Sequence, residues 1–454
     1  AFLLLSSYVF YCFAGWKILP LLIISTIVFY YAGIFIGKTT NERRKSFTIT
    51  ICTILGLSTL LYFKYTNFFL ISIKDFLENI GFQTNIHTLK IIVPVGISFY
   101  TFRLLSYLIE IGRGKIEPTN NFIAFAAYVA FFPSLLAGPI DRPNTFLPQL
   151  SESRRFDYAL AVDGCRQILW GLVKKIVIAD NCATYVNQAF DNYSGEAGST
   201  LVIGAILFVF QVYADFSGYS DMAIGISKLL GIKVTQNFNY SLFAQNIADF
   251  WRRWHISLTT WLTDYVFMPL NVKWRAWGNG GMILAIIVNF VLCGLWHGDS
   301  WTFVVWGAYF GLLFIPLILS GKMFKKTRIE TNSWGFPKFT TLRKMLLTFL
   351  LVTIGMVFFR ADTMTQAIGY FAGIFDSSLL SKPLVIKQEY YIPLILKLIF
   401  FIVVEWYSRN EPHGLAKVGL NWNVWLRQTF YILLIFVVLL NIKGEASQFI
   451  YFKF

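Results

Sequence analysis

Long apolar segments separated by short polar turns dominate the pattern along this chain. A helix needs about 20 mostly apolar residues to cross a bilayer, and about eleven segments approach that length. They lie near 1–14, 18–36, 47–71, 89–111, 122–140, 198–214, 281–297, 300–319, 344–360, 389–407 and 424–442. The pattern predicts an all-α polytopic membrane protein, in which residues 1–454 form a single domain without a repeat or linker.

Two further stretches are apolar but interrupted by polar residues. Residues 157–182 contain Arg166, Lys174 and Lys175, and residues 215–270 mix Asp, Ser, Gly and Asn with many aromatic residues. We interpret both stretches as interfacial or re-entrant helices. Such helices lie at membrane depth only where protein covers their open backbone groups.

The composition supports a membrane protein and excludes several soluble classes. Hydrophobic residues make up 56% of the chain and charged residues 14%, against about 25% charged in soluble domains. This excludes a disordered chain, a coiled coil and an ordinary nucleic-acid-binding domain. The five cysteines are scattered without a CxxC pair, so we predict small core residues and no metal site. Because the sequence opens without Met, we expect a first segment to be missing.

The net charge of +15 predicts an orientation in the membrane. Basic residues concentrate in 38–46 and 320–344, so these loops are expected on the cytoplasmic side. Residues 361–388 are nearly balanced in charge and are expected on the opposite side. The alternative role for a minority of these basic residues is to hold an anionic cytoplasmic ligand.

Two of the four histidines lie in dense aromatic surroundings. His255 ends the run Trp251-Arg252-Arg253-Trp254-His255, and His297 lies in Trp296-His297-Gly298-Asp299-Ser300-Trp301. The second run predicts a tight turn between two spans. Imidazole titrates near neutrality and acts as a general base toward hydroxyls. The alternative for His297 is a hydrogen bond that bridges helices, or an interfacial position among Trp anchors.

Residues 211–221 place acids and hydroxyls at the end of an apolar helix. Asp215, Tyr219 and Asp221 are the residues of interest, and Gly218 is expected to loosen the helix there. Polar groups at membrane depth are costly and need a reason. The segment either lines a cavity or broken helix, or forms a structural network that ties helices together.

Several familiar catalytic motifs are absent from the sequence. The chain has no Walker A loop, no GxSxG elbow and no HExxH pair. An ATP-driven pump is therefore disfavoured, as are a hydrolase of the nucleophile-elbow type and a zinc hydrolase.

An ordered set of motifs resembles the membrane-bound O-acyltransferase family over nearly the whole chain. Within it, the sequence is similar to the bacterial branch of alginate O-acetylation membrane proteins and peptidoglycan O-acetyltransferases, with teichoic acid D-alanyl transfer proteins more distant. The matching segments are 95–102, 131–133, 137–140, 215–225, 250–258, 294–298, 358–362 and 449–454.

The resemblance implies a ring of tilted helices around a central tunnel that joins a cytoplasmic donor site to an acceptor side. It implies that His297 is catalytic and that His255 assists. The implied donor is acetyl-CoA or another acyl thioester, used as a substrate, with no bound cofactor and no nucleic acid. The implied setting is the lipid of the bacterial cytoplasmic membrane, with an extracytoplasmic partner acetyltransferase.

The sequence departs from this branch at two positions. Phe310 stands where relatives often carry His, which strengthens the case for His297. Arg103 stands where an uncharged polar residue is common, and this affects the expected preference for acceptor or partner. Arg103 and Glu110 lie on one helix face, and we expect both to be structural.

We therefore predict acyl transfer with His297 as general base and His255 orienting the thioester or stabilising charge. The candidate substrate-binding residues lie in the same set of motifs: Trp251, Arg252, Arg253, Trp296, Asp215, Tyr219 and Asp221. Both arginines are candidates for pairing with CoA phosphates, or for topology and packing alone. The acceptor stays open between peptidoglycan, an alginate-like exopolysaccharide and, with D-alanyl as the acyl group, teichoic acid. A transporter or channel and a scaffold that recruits a partner are the alternatives from other classes.

Overall fold

The computed structural model describes residues 1–383, 391–442 and 449–450. Apart from one isolated bridge between Thr331 and Pro337, the regular structure of these residues is helical, so the predicted all-α class is confirmed. Residues 451–454 of the closing motif lie outside the described residues. The described chain forms two compact units, one of residues 1–161 and 227–235 and one of 162–226 and 236–454.

The first unit contains eight complete helices. They are α1 Phe2–Gly15, α2 Leu19–Lys38, α3 Glu42–Leu60, α4 Thr66–Asn79, α5 Ile97–Gly112, α6 Phe122–Val129, α7 Phe132–Leu135 and α8 Pro143–Ser151. A π-helical segment, Leu61–Tyr65, joins α3 to α4. Helix α5 is buried over almost its whole length and packs against α2 and α3.

The predicted span 89–111 is wrong in its first part, because α5 begins only at Ile97. Pro94 lacks the backbone N–H that a helix needs, and Gly96 has a φ of +76°. A Cβ at Gly96 would lie 2.5 Å from the carbonyl oxygen of Leu135. The start of α5 is therefore fixed by a close backbone approach that only glycine permits.

The predicted span 122–140 is also not one helix, since it divides into α6 and α7. The break leaves backbone carbonyls without helical partners, which is costly in a buried segment. Arg103 of α5 donates to the carbonyl oxygens of Tyr128, Val129, Ser134 and Pro139 at 3.1–3.3 Å. These contacts give Arg103 the structural role expected from the sequence.

The second unit holds most of the remaining helices. They are α9 Tyr158–Leu172, which begins in the first unit, α10 Asp180–Asp191, α11 Gly198–Leu229, α12 Ile247–Trp251, α13 Ile256–Leu262, α14 Met268–Lys273, α15 Gly278–His297, α16 Trp301–Leu313, α17 Ile315–Leu319, α18 Phe339–Arg360, α19 Met364–Ile374, α20 Tyr391–Tyr407 and α21 Val424–Asn441. π-Helical segments lie at Val173–Ala179 and Thr263–Phe267.

Helices α9 and α11 pack unusually closely through glycine. A Cβ at Gly218 would lie 2.8 Å from the carbonyl oxygen of Gly171, and one at Gly225 would lie 2.6 Å from that of Gly164. Small residues at helix crossings allow backbones to approach in this way. The expectation that Gly218 loosens the helix is therefore wrong, because α11 runs unbroken through it to Leu229.

Seven helical segments of the described residues are long and apolar enough to cross a membrane. They are Phe2–Lys38, Glu42–Asn79, Gly198–Leu229, Arg275–His297, Trp301–Leu319, Phe339–Arg360 and Val424–Asn441. The chain is thus a multi-pass membrane protein, while the count of about eleven spans, the central ring and the single domain stay predictions.

Candidate active site

His297 is the last residue of α15 and is almost completely buried. Only three residues separate it from the start of α16 at Trp301, which confirms the predicted tight turn. A Cβ at Gly298 would lie 2.0 Å from the Phe303 ring, so the turn is closely packed.

His255 lies in a strained part of the backbone just before α13. Its φ of 43° places it in the left-handed region, which costs a non-glycine residue about 1–3 kcal/mol. Such strain persists where surrounding contacts hold it, and here the backbone N–H of Ile256 donates to the carbonyl oxygen of Asn237 at 2.8 Å. The 237–256 contact thus fixes the backbone that aims the His255 ring.

The side chain of Asn237 also determines which ring nitrogen of His255 carries the proton. Asn237 Oδ1 lies 3.1 Å from His255 Nδ1 and accepts from the backbone N–H and the hydroxyl of Ser257 at 3.3 and 2.9 Å. An amide oxygen only accepts, so the proton of the neutral imidazole lies on Nδ1 and Nε2 is basic. Burial lowers the pKa of His255, which keeps the ring neutral.

The two imidazoles lie side by side within an aromatic shell. Their ring centroids are 6.4 Å apart, and the Trp296 ring lies 5.7 Å from His255 and 4.9 Å from His297. The shell is completed by the rings of Trp306 and Phe359 around His297 and of Phe216 around His255. A site of this kind excludes water and strengthens electrostatic interactions.

Residues close to His255 in the sequence, and residues beside Asn237, line a polar cavity of about 760 Å³. Gln236 and Asn239, which flank Asn237, line it together with Arg253, Arg328 and Arg409. Three guanidinium groups suit phosphate or carboxylate ligands. This cavity is therefore a candidate site for an anionic ligand.

Residues that follow His297 in the sequence line a second polar cavity of about 360 Å³. Asp299, Ser300 and Phe303 line it with Arg360 at the end of α18. Helix α18 spans the 22 residues between the loop that lines the first cavity and this Arg360, roughly 33 Å at 1.5 Å per residue. The cavities thus lie toward opposite ends of α18.

The predicted substrate-binding residues of the 251–255 run and Trp296 lie close to the histidines, with different contacts. Trp251 is buried against the rings of Phe290, Trp306 and Phe310 at 5.0–5.7 Å. Arg252 donates to the carbonyl oxygens of Met323 and Lys325, and Arg253 pairs with Asp249 at 3.0 Å while lining the larger cavity. Of the two arginines, Arg253 lies in the cavity that suits an anion.

The predicted residues of α11 engage in other contacts. Asp215 pairs with Lys175 at 2.9 Å and accepts from the backbone N–H of Ile450 at 2.8 Å. Asp221 pairs with Lys174 at 3.0 Å, and the Tyr219 ring packs in a tilted arrangement 5.1 Å from the Phe449 ring. These contacts favour the structural network that was the alternative interpretation, and a substrate role for the three residues stays a prediction.

Two important residues did not emerge from sequence reasoning. Asn237 carries no motif and lies 18 residues from His255 in the chain. Glu405 is buried in α20, where it accepts from Tyr213 and Trp170 and pairs with Lys174. Its position as an acidic residue within the apolar stretch 389–407 was the sequence feature that indicates a buried partner.

Comparison with known proteins agrees with this geometry. Residues 11–358 match the model of MBOAT, the membrane-bound O-acyltransferase family. A probable alginate O-acetylase of Pseudomonas putida is 32% identical over all of this chain and 94% of its own length, and that of Pseudomonas aeruginosa is 36% identical over 82% and 69%. A peptidoglycan O-acetyltransferase of Helicobacter pylori is 30% identical over 100% and 91%.

The chain belongs to the membrane-bound O-acyltransferase family, as its motifs implied, and is a membrane-bound O-acyltransferase. A teichoic acid D-alanyltransferase of Bacillus subtilis is also 30% identical, over 58% of this chain and 68% of its own length. Within the described ranges, no group of three or more His, Cys, Asp or Glu side chains is arranged to hold a metal ion.

Proposed function

We propose that this protein transfers an acetyl group from a thioester donor on one side of the membrane to a hydroxyl acceptor on the other, for O-acetylation of a cell-envelope polysaccharide. One observation carries the proposal. The rings of His255 and His297 are 6.4 Å apart, and residues close to each histidine in the sequence line two polar cavities that lie toward opposite ends of α18.

The larger cavity is the proposed donor site, with acetyl-CoA as the substrate. Arg253, Arg328 and Arg409 line it, and guanidinium groups pair well with the phosphates that CoA carries. The loop that contributes Arg328 is strongly basic, which supports a cytoplasmic position by the usual charge bias. In this proposed orientation the donor cavity faces the compartment that holds acetyl-CoA, and the proposed location is the bacterial cytoplasmic membrane.

The proposed reaction moves one proton and one acyl group. His297 accepts the proton of the acceptor hydroxyl, whose oxygen attacks the thioester carbonyl carbon. The carbon–sulfur bond breaks, the thiolate leaves and takes up the proton, and an ester remains on the acceptor. His255, kept neutral by burial and held in one tautomer by Asn237, orients the thioester from the donor side.

The smaller cavity, lined by Asp299, Ser300 and Arg360, is the proposed entry for the acceptor. Either a partner acetyltransferase outside the membrane or the polysaccharide itself presents the hydroxyl there. Acetyl transfer is favoured over D-alanyl transfer because relatives named for O-acetylation cover the whole chain, whereas a D-alanyltransferase covers 58% of it.

The experiment uses full-length protein in membranes supplied with acetyl-CoA labelled in the acetyl group. We expect the wild type to transfer label and His297→Ala to lose at least 10²-fold of the rate, as for a missing general base (~10²–10⁴). His87→Ala is the matched control, since His87 is exposed in a loop. Full activity of a folded His297→Ala protein would refute the mechanism, and solute movement without thioester consumption would favour a transporter.

A further inference from the structure

An apolar groove opens on the surface of the second unit between α18 and α20. It has a volume of about 380 Å³, in the range that holds small ligands (~300–1,000 Å³). Leu346 of α18 and Val403 and Tyr407 of α20 form its walls, and Phe210 and Met345 line it as well. Leu346 and Tyr407 are 59% and 73% exposed, so the groove faces outward.

The groove is separate from the proposed donor cavity. A buried cluster of Tyr240, Phe243 and Met345, with Ile329 and Trp406 packed against it, lies between them. Ile329 lines the donor cavity, whereas Phe243, Met345 and Trp406 line the groove. A ligand in the groove is therefore separated from the donor cavity by packed side chains.

Positive charge and aromatic rings gather at one end of the groove. The Arg409 guanidinium lies 4.2 Å from the centre of the Trp406 ring. Lys338 precedes the first turn of α18, one turn before Leu342 of the groove wall, so both lie on the same helix face. Trp and Tyr at the end of an apolar surface are typical of the membrane–water boundary.

The basic residues at this end of the groove lie where the helix dipole of α18 disfavours positive charge. Lys338, Arg343 and Lys344 lie in or beside the first turns of α18, where the positive end of the dipole disfavours cations. Lys338 has one acidic partner, Glu330 at 3.2 Å, and both side chains are more than half exposed. Exposed pairs of this kind are weak, so the charged oxygens of a lipid phosphodiester can replace the carboxylate.

We propose that this groove binds one acyl chain of an anionic phospholipid, with the lipid phosphate against Lys338. The apolar walls match the chain, the Trp406 and Tyr407 rings match the headgroup boundary, and the Lys338 ammonium matches the phosphate. Basic pockets between transmembrane helices on the cytoplasmic side bind anionic headgroups in this manner. The inference does not depend on the acyl-transfer reaction.

Native mass spectrometry of the full chain in detergent, with added phosphatidylglycerol or phosphatidylcholine, tests this inference. We expect one phosphatidylglycerol to be retained on the wild type, at least fivefold more than phosphatidylcholine. Leu346→Trp fills the groove and should abolish this retention. The matched control is Leu347→Trp, on the same helix with 57% exposure but outside the groove, which should keep it.

A second pair of variants tests the headgroup contact. Lys338→Gln should weaken retention of phosphatidylglycerol about fivefold, the usual effect of one basic residue near an anionic lipid. Lys344→Gln, on another face of α18, should leave it unchanged. Equal retention of both lipids, equal loss in Leu346→Trp and Leu347→Trp, or equal loss in the two lysine variants would each overturn the proposal.

Discussion

At the scale of single residues, one amide oxygen organises the surroundings of His255. Asn237 Oδ1 contacts His255 Nδ1 and accepts from the backbone and hydroxyl of Ser257, while Asn237 Nδ2 donates to Ser220 at 3.2 Å. The amide therefore fixes both the rotation and the tautomer of the His255 ring. We classify Asn237 as a positioning residue, because it acts through His255.

We expect Asn237→Ala to reduce acetyl transfer by roughly 10²-fold, because the His255 ring loses its support and a displacement of about 1 Å in an active site costs that much in rate. Asn237→Asp keeps an accepting oxygen toward His255 and should retain clearly more activity than Asn237→Ala. Initial rates at varied acetyl-CoA, together with the pH profile of each variant, measure this difference. If both variants are equally impaired with unaltered pH profiles, Asn237 serves folding and does not position the ring.

The sequence predicted the two histidines but not the residues that support them. His255 and His297 lie in aromatic runs that form recognisable motifs, whereas Asn237 and Glu405 reach their partners through tertiary contacts. Glu405 and its partner Lys174 are 231 positions apart in the chain yet 3.2 Å apart in space. Pairings of this kind depend on helix packing, which a single sequence does not specify.

At the scale of elements, glycine determines how helices cross. Gly218 and Gly225 of α11 face Gly171 and Gly164 of α9 at distances that leave no room for a Cβ. Hydropathy predicted most helices, but it began one span upstream of Gly96 and joined α6 to α7. It failed there because the break between α6 and α7 is stabilised by Arg103, through hydrogen bonds that apolar periodicity does not report.

We expect Gly218→Ala to lower the thermal unfolding temperature by several degrees, because the added Cβ meets the Gly171 carbonyl at 2.8 Å. Overpacking of this kind costs about 1–3 kcal/mol. Gly280→Ala, where no atom lies within 4 Å of the added Cβ, should be neutral or stabilising by helix propensity. Thermal unfolding in detergent would contradict the account if the two variants shifted equally.

At the scale of the whole molecule, the family resemblance specified the reaction class that composition left open. Apolar composition and the +15 charge indicated only a membrane protein with an orientation. In the second unit, residues close to His255 in the sequence line one polar cavity, and residues that follow His297 line another.

We expect Arg328→Gln to raise the KM for acetyl-CoA about tenfold with little change in kcat. A lost hydrogen bond to a charged ligand costs about 1.5–3 kcal/mol, and tenfold corresponds to about 1.4 kcal/mol. Lys326→Gln in the same exposed loop does not line the cavity and serves as the matched control. An equal effect of both substitutions would indicate general charge attraction instead of a donor site.

Transfer in sealed vesicles tests the central claim most directly. Acetyl-labelled acetyl-CoA is enclosed on the side of the Arg253 cavity, and label in ester linkage is counted on the opposite side for the wild type, His297→Ala and His87→Ala. The account predicts label across the membrane for the wild type and His87→Ala, with one thiol released per ester, and at least a 10²-fold loss for His297→Ala. Ester label that crosses equally well in a folded His297→Ala protein would contradict it.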